Sequence, residues 1–215
     1  MAVKIDGPRL PAASGETKSL VVLLHGYGAD GNDLFGLAQP LSSILPDTAF
    51  VSPNAPERCA NNPMGYQWFP IPWLDGSSEE AMQDGFAAAV ETLNTFLDEE
   101  LAAHGLNEGS CALVGFSQGT MMSLHVGPRR STELAGIVGF SGRLAGEAAG
   151  AAKPPVLLIH GDMDEMIPVA EMHSAREALA AAGFAVRWHV SKGVGHGIAQ
   201  DGLQLAAGFL QDVLN

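Results

Sequence analysis

An α/β architecture, with a mostly parallel central sheet and helices on both of its faces, follows from three features of this sequence. Short apolar runs alternate with longer stretches in which apolar residues recur every three or four positions. Several short runs are apolar on consecutive residues, as strands buried on both faces must be. The chain has 215 residues, 47% of them hydrophobic, which is enough to fill one core and predicts one domain over 1–215.

Taken in chain order, "SLVVLL" at 19–24 reads as the first strand. A helix is expected at 32–45 and a second strand at 49–52. An irregular segment, 53–76, separates that strand from the clearest helix, 78–104. In it Met82, Phe86, Val90, Leu93, Leu97 and Leu101 share one face, Ser77 and Glu80 make a capping box, and Gly105 ends the helix. Strands at 111–115, 136–140, 156–159 and 185–190 then interleave with helices at 118–126, 169–182 and 198–214. Right-handed crossovers would join them. The stretch "LAGEAAGAAKPP" is too short to separate two domains.

Charge excludes whole classes of function. The formal net charge is −13 with no basic cluster, so a nucleic-acid backbone or an anionic bilayer would be repelled. The N-terminal residues lack the apolar core of a signal peptide, and no apolar run reaches membrane-spanning length. Cys59 and Cys111 do not make a disulfide framework. A cytoplasmic protein with no stable membrane association and no cofactor is expected, with a homodimer left open.

Two segments compete for the role of nucleophile-bearing turn, "GFSQG" at 115–119 and "GFSGR" at 139–143. Both follow a strand, where α/β proteins collect their reactive groups. A nucleophile elbow turns from strand into helix so sharply that side chains two residues before and after the serine would clash, hence G-x-S-x-G. Ser117 meets that demand with Gly115 and Gly119, whereas Arg143 occupies the second position after Ser141. With 26 glycines in the chain a G-x-S-x-G match alone is weak, but here a strand precedes it and "QGTMMSLHV" can continue as a helix.

A serine nucleophile needs a base, and the base needs an acid to orient it; on this architecture they follow in the order Ser, Asp or Glu, His. The strand "PVLLIHG" delivers Asp162, Asp164 and Glu165, all three open as the acid. The last strand delivers His196 beyond its end, while His189 lies within it. His104, His125 and His173 sit on helices, and His25 and His160 precede glycine turns where an imidazole bonds nearby backbone. "HGD" has no further ligand cluster beside it, so no metal is expected. The oxyanion of a tetrahedral intermediate would take the N–H of Gln118 and, from the loop "LLHGYGAD", the N–H of Tyr27.

Together "LLHGYGAD", "SPNAPE", "GYQWFPI", "GFSQGTMMSL", "HGDMDEMIP" and "GVGHGI" resemble the phospholipase/carboxylesterase family of α/β-hydrolases, which includes acyl-protein thioesterases and small bacterial carboxylesterases. The resemblance spans nearly the whole chain and implies an α/β-hydrolase fold with Ser117, Asp164 and His196 as triad and Tyr27 and Gln118 as oxyanion donors. It selects Asp164 because the family's acid precedes an "xx-[VI]-P" stretch, here "EMIP". The family commonly has leucine at the position of Tyr27, and the loop "ERCANNPMGYQWF" departs from its usual glycine-rich form.

Only residues 141–154 separate the strand at 136–140 from the next, too few for a helical cap. The apolar segment 53–76 is then the best available wall for an acyl group, with Met64, Trp68 and Phe69 joined by Met166 and Ile167. A carboxylesterase for small-to-medium acyl esters is the leading expectation, working through an acyl-enzyme on a small-molecule substrate. An acyl-protein thioesterase or lysophospholipase would use the same triad. A non-catalytic binding protein on a hydrolase scaffold typically lacks a triad member, and none is missing here.

Overall fold

The computed structural model describes residues 2–214. Seven strands form one sheet: β1 (Arg9–Leu10), β2 (Ser19–Leu24), β3 (Thr48–Val51), β6 (Cys111–Phe116), β7 (Gly136–Phe140), β8 (Val156–Gly161) and β9 (Val186–Ser191). Their order is β1-β3-β2-β6-β7-β8-β9, parallel throughout except for β1, which pairs antiparallel with β3. The consecutive apolar residues of β2 are buried along its whole length, the burial that an interior strand covered on both faces requires.

Alternate strand residues serve the two faces. Leu20, Val22, Leu24 and Leu113 pack against α4 (Glu79–His104) and α5 (Gln118–Val126), with Ile137 and Leu158 against α6 (Val169–Ala181). Val21, Leu23, Val114 and Val138 pack on the opposite side against α1 (Gly31–Phe35), α2 (Ala38–Ser42) and α7 (Gln200–Leu214). The carboxyl ends of β2, β6, β8 and β9 therefore open at the same edge of the sheet, each into a loop. Among the described residues no helix is long and apolar enough to cross a membrane.

Three local readings need correction. The helix expected at 32–45 is two short ones, because a helix continuing through Pro40 would drive its ring into the carbonyl of Gly36. Ser78, not Ser77, caps α4, its hydroxyl accepting the Ala81 N–H at 3.0 Å. The segment 53–76 is less irregular than its composition suggests: β4 (Glu57–Arg58) and β5 (Tyr66–Gln67) form a two-stranded ribbon, and α3 (Pro72–Asp75) follows. The edge strand β1 has no hydrophobic pattern of its own. Arg9, which it carries, binds Glu100 of α4 and fastens that edge to the helix layer.

Trp68 is the largest fully buried side chain. Its indole N–H donates to the carbonyl of His25 at 3.0 Å, so the ring plugs the core beneath the segment and does not wall an acyl groove. Truncating a buried aromatic removes both transfer free energy and packing. Trp68→Ala should thus destabilise the fold by about 3–5 kcal/mol in chemical denaturation, and Trp68→Phe by clearly less.

Candidate active site

Ser117 stands between the end of β6 and the first residue of α5 with φ 53° and ψ −113°, a conformation that a residue with a Cβ rarely adopts. Crowding makes the turn possible only with glycine on both sides. A Cβ on Gly119 would lie 1.9 Å from the Leu24 carbonyl oxygen, and one on Gly115 would lie 2.4 Å from the Gly119 oxygen. Ser141 also has a positive φ, 47°, which the sequence pattern does not foretell. What separates the two serines is access: Ser117 faces a cavity, whereas Ser141 is 1% exposed.

The Oγ of Ser117 lies 3.0 Å from His196 Nε2, and His196 Nδ1 lies 2.7 Å from Asp164 Oδ2. Asp164 is the carboxylate that reaches His196. Asp162, two residues earlier, instead accepts the Gly193 N–H at 2.6 Å and shapes the loop that carries His196. The other oxygen of Asp164, Oδ1, accepts the N–H groups of Met166 and Ile167, both at 2.9 Å. His160 Nε2 lies 3.2 Å from Oδ2 and donates its main hydrogen bond to the Ile167 carbonyl at 2.7 Å. Three donors, the Met166 and Ile167 N–H groups and His196 Nδ1, thus hold a buried carboxylate and fix its plane. The imidazole of His196 also packs on Phe116, with ring centroids 4.9 Å apart.

Two further imidazoles frame the site in their neutral form. His25 Nδ1–H donates to the Gly26 carbonyl at 2.7 Å, leaving Nε2 to accept the Ala55 N–H at 3.0 Å. His160 has no partner for Nδ1, so a proton there would be buried unpaired. Burial lowers the pKa of both, and of His125 on α5. The thiol of Cys111 in β6 is pushed up to about 12 by burial, which leaves it inert.

Above Ser117 the Gly26–Ala29 turn uses Gly28 N–H and Ala29 N–H for hydrogen bonds to Tyr66 and Gly26, a pattern in which Tyr27 N–H takes no part. Gln118 N–H belongs to the first turn of α5, where helix donors lack intrahelical partners. Both residues line the cavity beside Ser117. The Gln118 side chain is committed elsewhere: it accepts the Trp68 N–H at 2.8 Å and donates to the Phe69 carbonyl at 2.7 Å. The Tyr27 hydroxyl donates to Asp75 at 3.0 Å, tying the same turn to α3. Burial, with Cys59 and Asp75 nearby, raises the phenol above its ordinary pKa and keeps it a donor. Burial opposes ionisation of Asp75, but hydrogen bonds from Ser77, the Ile71 N–H and Tyr27 outweigh it and hold the carboxyl below its ordinary value.

The cavity has a volume of ≈ 450 Å³, within the range of small-molecule sites. Of the expected wall residues, Phe69, Met166 and Ile167 line it, while Trp68 and Met64 do not. Met64 is 81% exposed at the tip of the β4–β5 ribbon, pointing to solvent. Ile71, Trp73 and Leu74 complete the wall from the loop and α3, and Met82, Phe116 and Met121 complete it from α4, β6 and α5. Met82 reads in sequence only as part of the apolar face of its helix, and Met121 carries no reading there; both lie at helix starts, where the core-facing stripe runs out into the cavity. Arg143, Glu79 and Glu171 also line the cavity. The residues between β7 and β8 form no helix, so no cap covers the mouth. Among the described residues no three His, Cys, Asp or Glu side chains converge to hold a metal ion.

The neutral histidines predict how stability depends on pH. Unfolded, His25, His125 and His160 titrate near 6.5; folded, their pKa values are lower. Below about pH 6.5 the unfolded chain therefore binds protons that the native chain does not, and stability falls as pH falls. Guanidinium denaturation at pH 7.5 and 5.5 should give the lower unfolding free energy at 5.5.

A model of the phospholipase/carboxylesterase family matches residues 6–214. Esterase YpfH of Escherichia coli K12 is 29% identical over 210 residues, covering 96% of this chain and 86% of that protein. Acyl-protein thioesterase 1 of Saccharomyces cerevisiae is 28% identical over 227 residues, covering 98% and 100%. The crystal structure of esterase PE8 superposes with a TM-score of 0.93 at 49% identity, covering 99% of this chain and all of that one. With its parallel sheet, its strained serine turn and a family match from Asp6 to Leu214, this chain belongs to the phospholipase/carboxylesterase family of α/β hydrolases.

Proposed function

We propose that this chain is a serine carboxylesterase that hydrolyses small-to-medium acyl esters, with Ser117 as nucleophile, His196 as base and Asp164 as the orienting acid. The observation that carries the reading is the continuous relay at the cavity, Ser117 Oγ to His196 Nε2 at 3.0 Å and His196 Nδ1 to Asp164 at 2.7 Å. As Oγ attacks the ester carbonyl, Nε2 takes its proton, and Asp164 stabilises the imidazolium that forms. The carbonyl oxygen, now an anion, receives the N–H groups of Tyr27 and Gln118. His196 then protonates the departing alkoxide, and in deacylation it takes a proton from water while that water attacks the acyl-enzyme. The acyl group lies along Phe69, Ile71, Trp73, Leu74, Met166 and Ile167, away from the mouth.

The similarity to acyl-protein thioesterase 1 along nearly the whole chain supports a second reading, hydrolysis of an acyl thioester by the same relay. Rates on p-nitrophenyl esters of graded length beside palmitoyl-CoA discriminate the two. A preference for palmitoyl-CoA over every ester would overturn the first.

Substitutions test the assignments directly. Ser117→Ala should lower kcat/KM by about a thousandfold or more with the fold intact. Asp164→Asn should lower kcat by orders of magnitude, because His196 loses the partner that fixes its tautomer, while Asp162→Asn should be far milder. The reverse ranking of the two aspartates would refute the roles given to them.

The wall makes its own prediction. Trp73 is 65% exposed, so its truncation leaves the core untouched. Each buried methylene contributes about 0.8 kcal/mol, and contact with this ring should therefore grow with acyl length. Trp73→Ala should lower kcat/KM for octanoyl esters several-fold and leave acetyl esters nearly unchanged; equal losses on both would place the acyl group elsewhere.

A further inference from the structure

The repeated "GFS" triplet ends twice in a strained serine. Ser117 and Ser141 are the only non-glycine residues with positive φ among the described residues. Such strain persists only where the surrounding structure demands it, and it concentrates at functional positions. At Ser117 the demand is exposure of Oγ to the cavity. At Ser141 the side chain is buried, and its hydroxyl donates to the carbonyl oxygen of Gly197 at 3.3 Å. Gly197 directly follows His196.

We propose that Ser141 is a positioning residue for His196: its hydroxyl, aimed by the strained turn after β7, holds the peptide that follows the imidazole and so keeps Nε2 within reach of Ser117. This inference rests on the roles proposed above for Ser117 and His196.

The supporting geometry has two parts. First, the Ser141 turn is locked to the same frame as the elbow. Ser141 N–H donates to the Ile159 carbonyl at 2.9 Å, and Ser117 N–H donates to the Phe140 carbonyl at 2.9 Å, one strand earlier in the same pattern. Gly142 lies so close to α5 that a Cβ there would sit 2.4 Å from Thr120 Cβ and 2.9 Å from the Ser117 carbonyl oxygen. The Thr120 hydroxyl in turn sits 2.8 Å from the carbonyls of both Gly115 and Phe140. Any shift of Ser141 is therefore resisted by the elbow itself.

Second, on the downstream side of His196 the next side-chain tie to the sheet is Asp201 of α7, five residues on, which binds His189 and Ser191 of β9. Gly193 N–H donates to Asp162 and Val194 accepts from Met163 N–H, but both contacts lie upstream of His196. Asp164 fixes how the ring is rotated, not how far the backbone stands from Ser117. The Ser141 bond holds the downstream side, one residue from the imidazole.

The test compares wild type, Ser117→Ala, Ser141→Ala and Ser141→Gly in the full chain. It measures kcat and KM on p-nitrophenyl butyrate, the rate of fluorophosphonate labelling of Ser117, and the melting temperature. Alanine removes the hydroxyl and keeps the strain; glycine removes both. Loss of one neutral hydrogen bond predicts a drop of about three- to tenfold in kcat and labelling rate for both Ser141 variants, with KM unchanged. Ser141→Gly, relieved of the strained φ, should melt no lower than Ser141→Ala while remaining equally slow. That separation of rate from stability is not what a merely structural role produces. Wild-type labelling in Ser141→Ala overturns the proposal, as does a rate that recovers in Ser141→Gly along with stability. A loss as deep as that of Ser117→Ala overturns it too, since Ser141 would then be a reacting group. If Ser117→Ala still labels, the triad fails and the positioning role with it; if only the Ser141 variants are unaffected, the triad stands and the positioning role alone falls.

Discussion

Backbone crowding at the carboxyl ends of β2 and β6 is the constraint on which the rest of this molecule depends. The first turn of α5 approaches β2 so closely that residue 119 can carry no side chain, because its Cβ would overlap the Leu24 carbonyl. That approach forces Ser117 into positive φ and lifts its hydroxyl out of the sheet toward the cavity. It also places the free N–H of Gln118 beside the hydroxyl, and brings the Gly26–Ala29 turn alongside. The serine proposed as nucleophile and the donors proposed for its oxyanion thus emerge from one packing decision, held by the core strands.

Electrostatics then acts on a prepared geometry. The Asp164 carboxylate is buried, yet three hydrogen bonds meet it, two from backbone N–H groups of its own turn and one from His196. A charge so surrounded has little freedom to turn, which keeps His196 in the tautomer with Nδ1–H toward Asp164 and Nε2 toward Ser117. His160 Nε2 stands 3.2 Å from the same carboxylate, but its N–H is donated to the Ile167 carbonyl. Burial without a partner for Nδ1 keeps it neutral, so it brings no positive charge to the carboxylate.

Patterns that depend on local chain chemistry were legible in the sequence; contacts set by three-dimensional packing were not. The five interior strands and the helix at 118–126 stand where apolar runs and the G-x-S-x-G turn place them, because an interior strand must be apolar on both faces and an elbow must have its glycines. Asp162 and Asp164 were inseparable by residue type and loop position. Only the direction of each carboxylate, one toward Gly193 N–H and one toward His196, distinguishes them. Trp68 and Phe69 are adjacent, equally apolar and both part of the core, yet only Phe69 also reaches the cavity wall, a difference set by the packing of the bend that follows β5. The positive φ of Ser141 was hidden for a related reason: nothing in "GFSGR" announces the contacts that hold this residue, its N–H on Ile159 and its hydroxyl on Gly197.

One continuous piece of chain, 69–82, contributes more residues to the cavity wall than any other stretch, and Gln118 beside Ser117 holds its start through the Phe69 carbonyl. The residue whose backbone N–H is proposed as an oxyanion donor, Gln118, grips with its side-chain amide the backbone on both sides of the Trp68–Phe69 peptide. Tyr27, the other proposed donor, repeats the arrangement from the other side, with its hydroxyl on Asp75 of α3. Each proposed oxyanion donor therefore also anchors the acyl wall. The wall needs no cap domain to hold its shape, since Trp68 pins it below and these two side chains pin it at the edge. Substrate selection and transition-state stabilisation are in this way mechanically joined: a displacement of the wall large enough to admit a bulkier acyl group pulls on the residues whose N–H groups must stay within hydrogen-bond distance of the oxyanion.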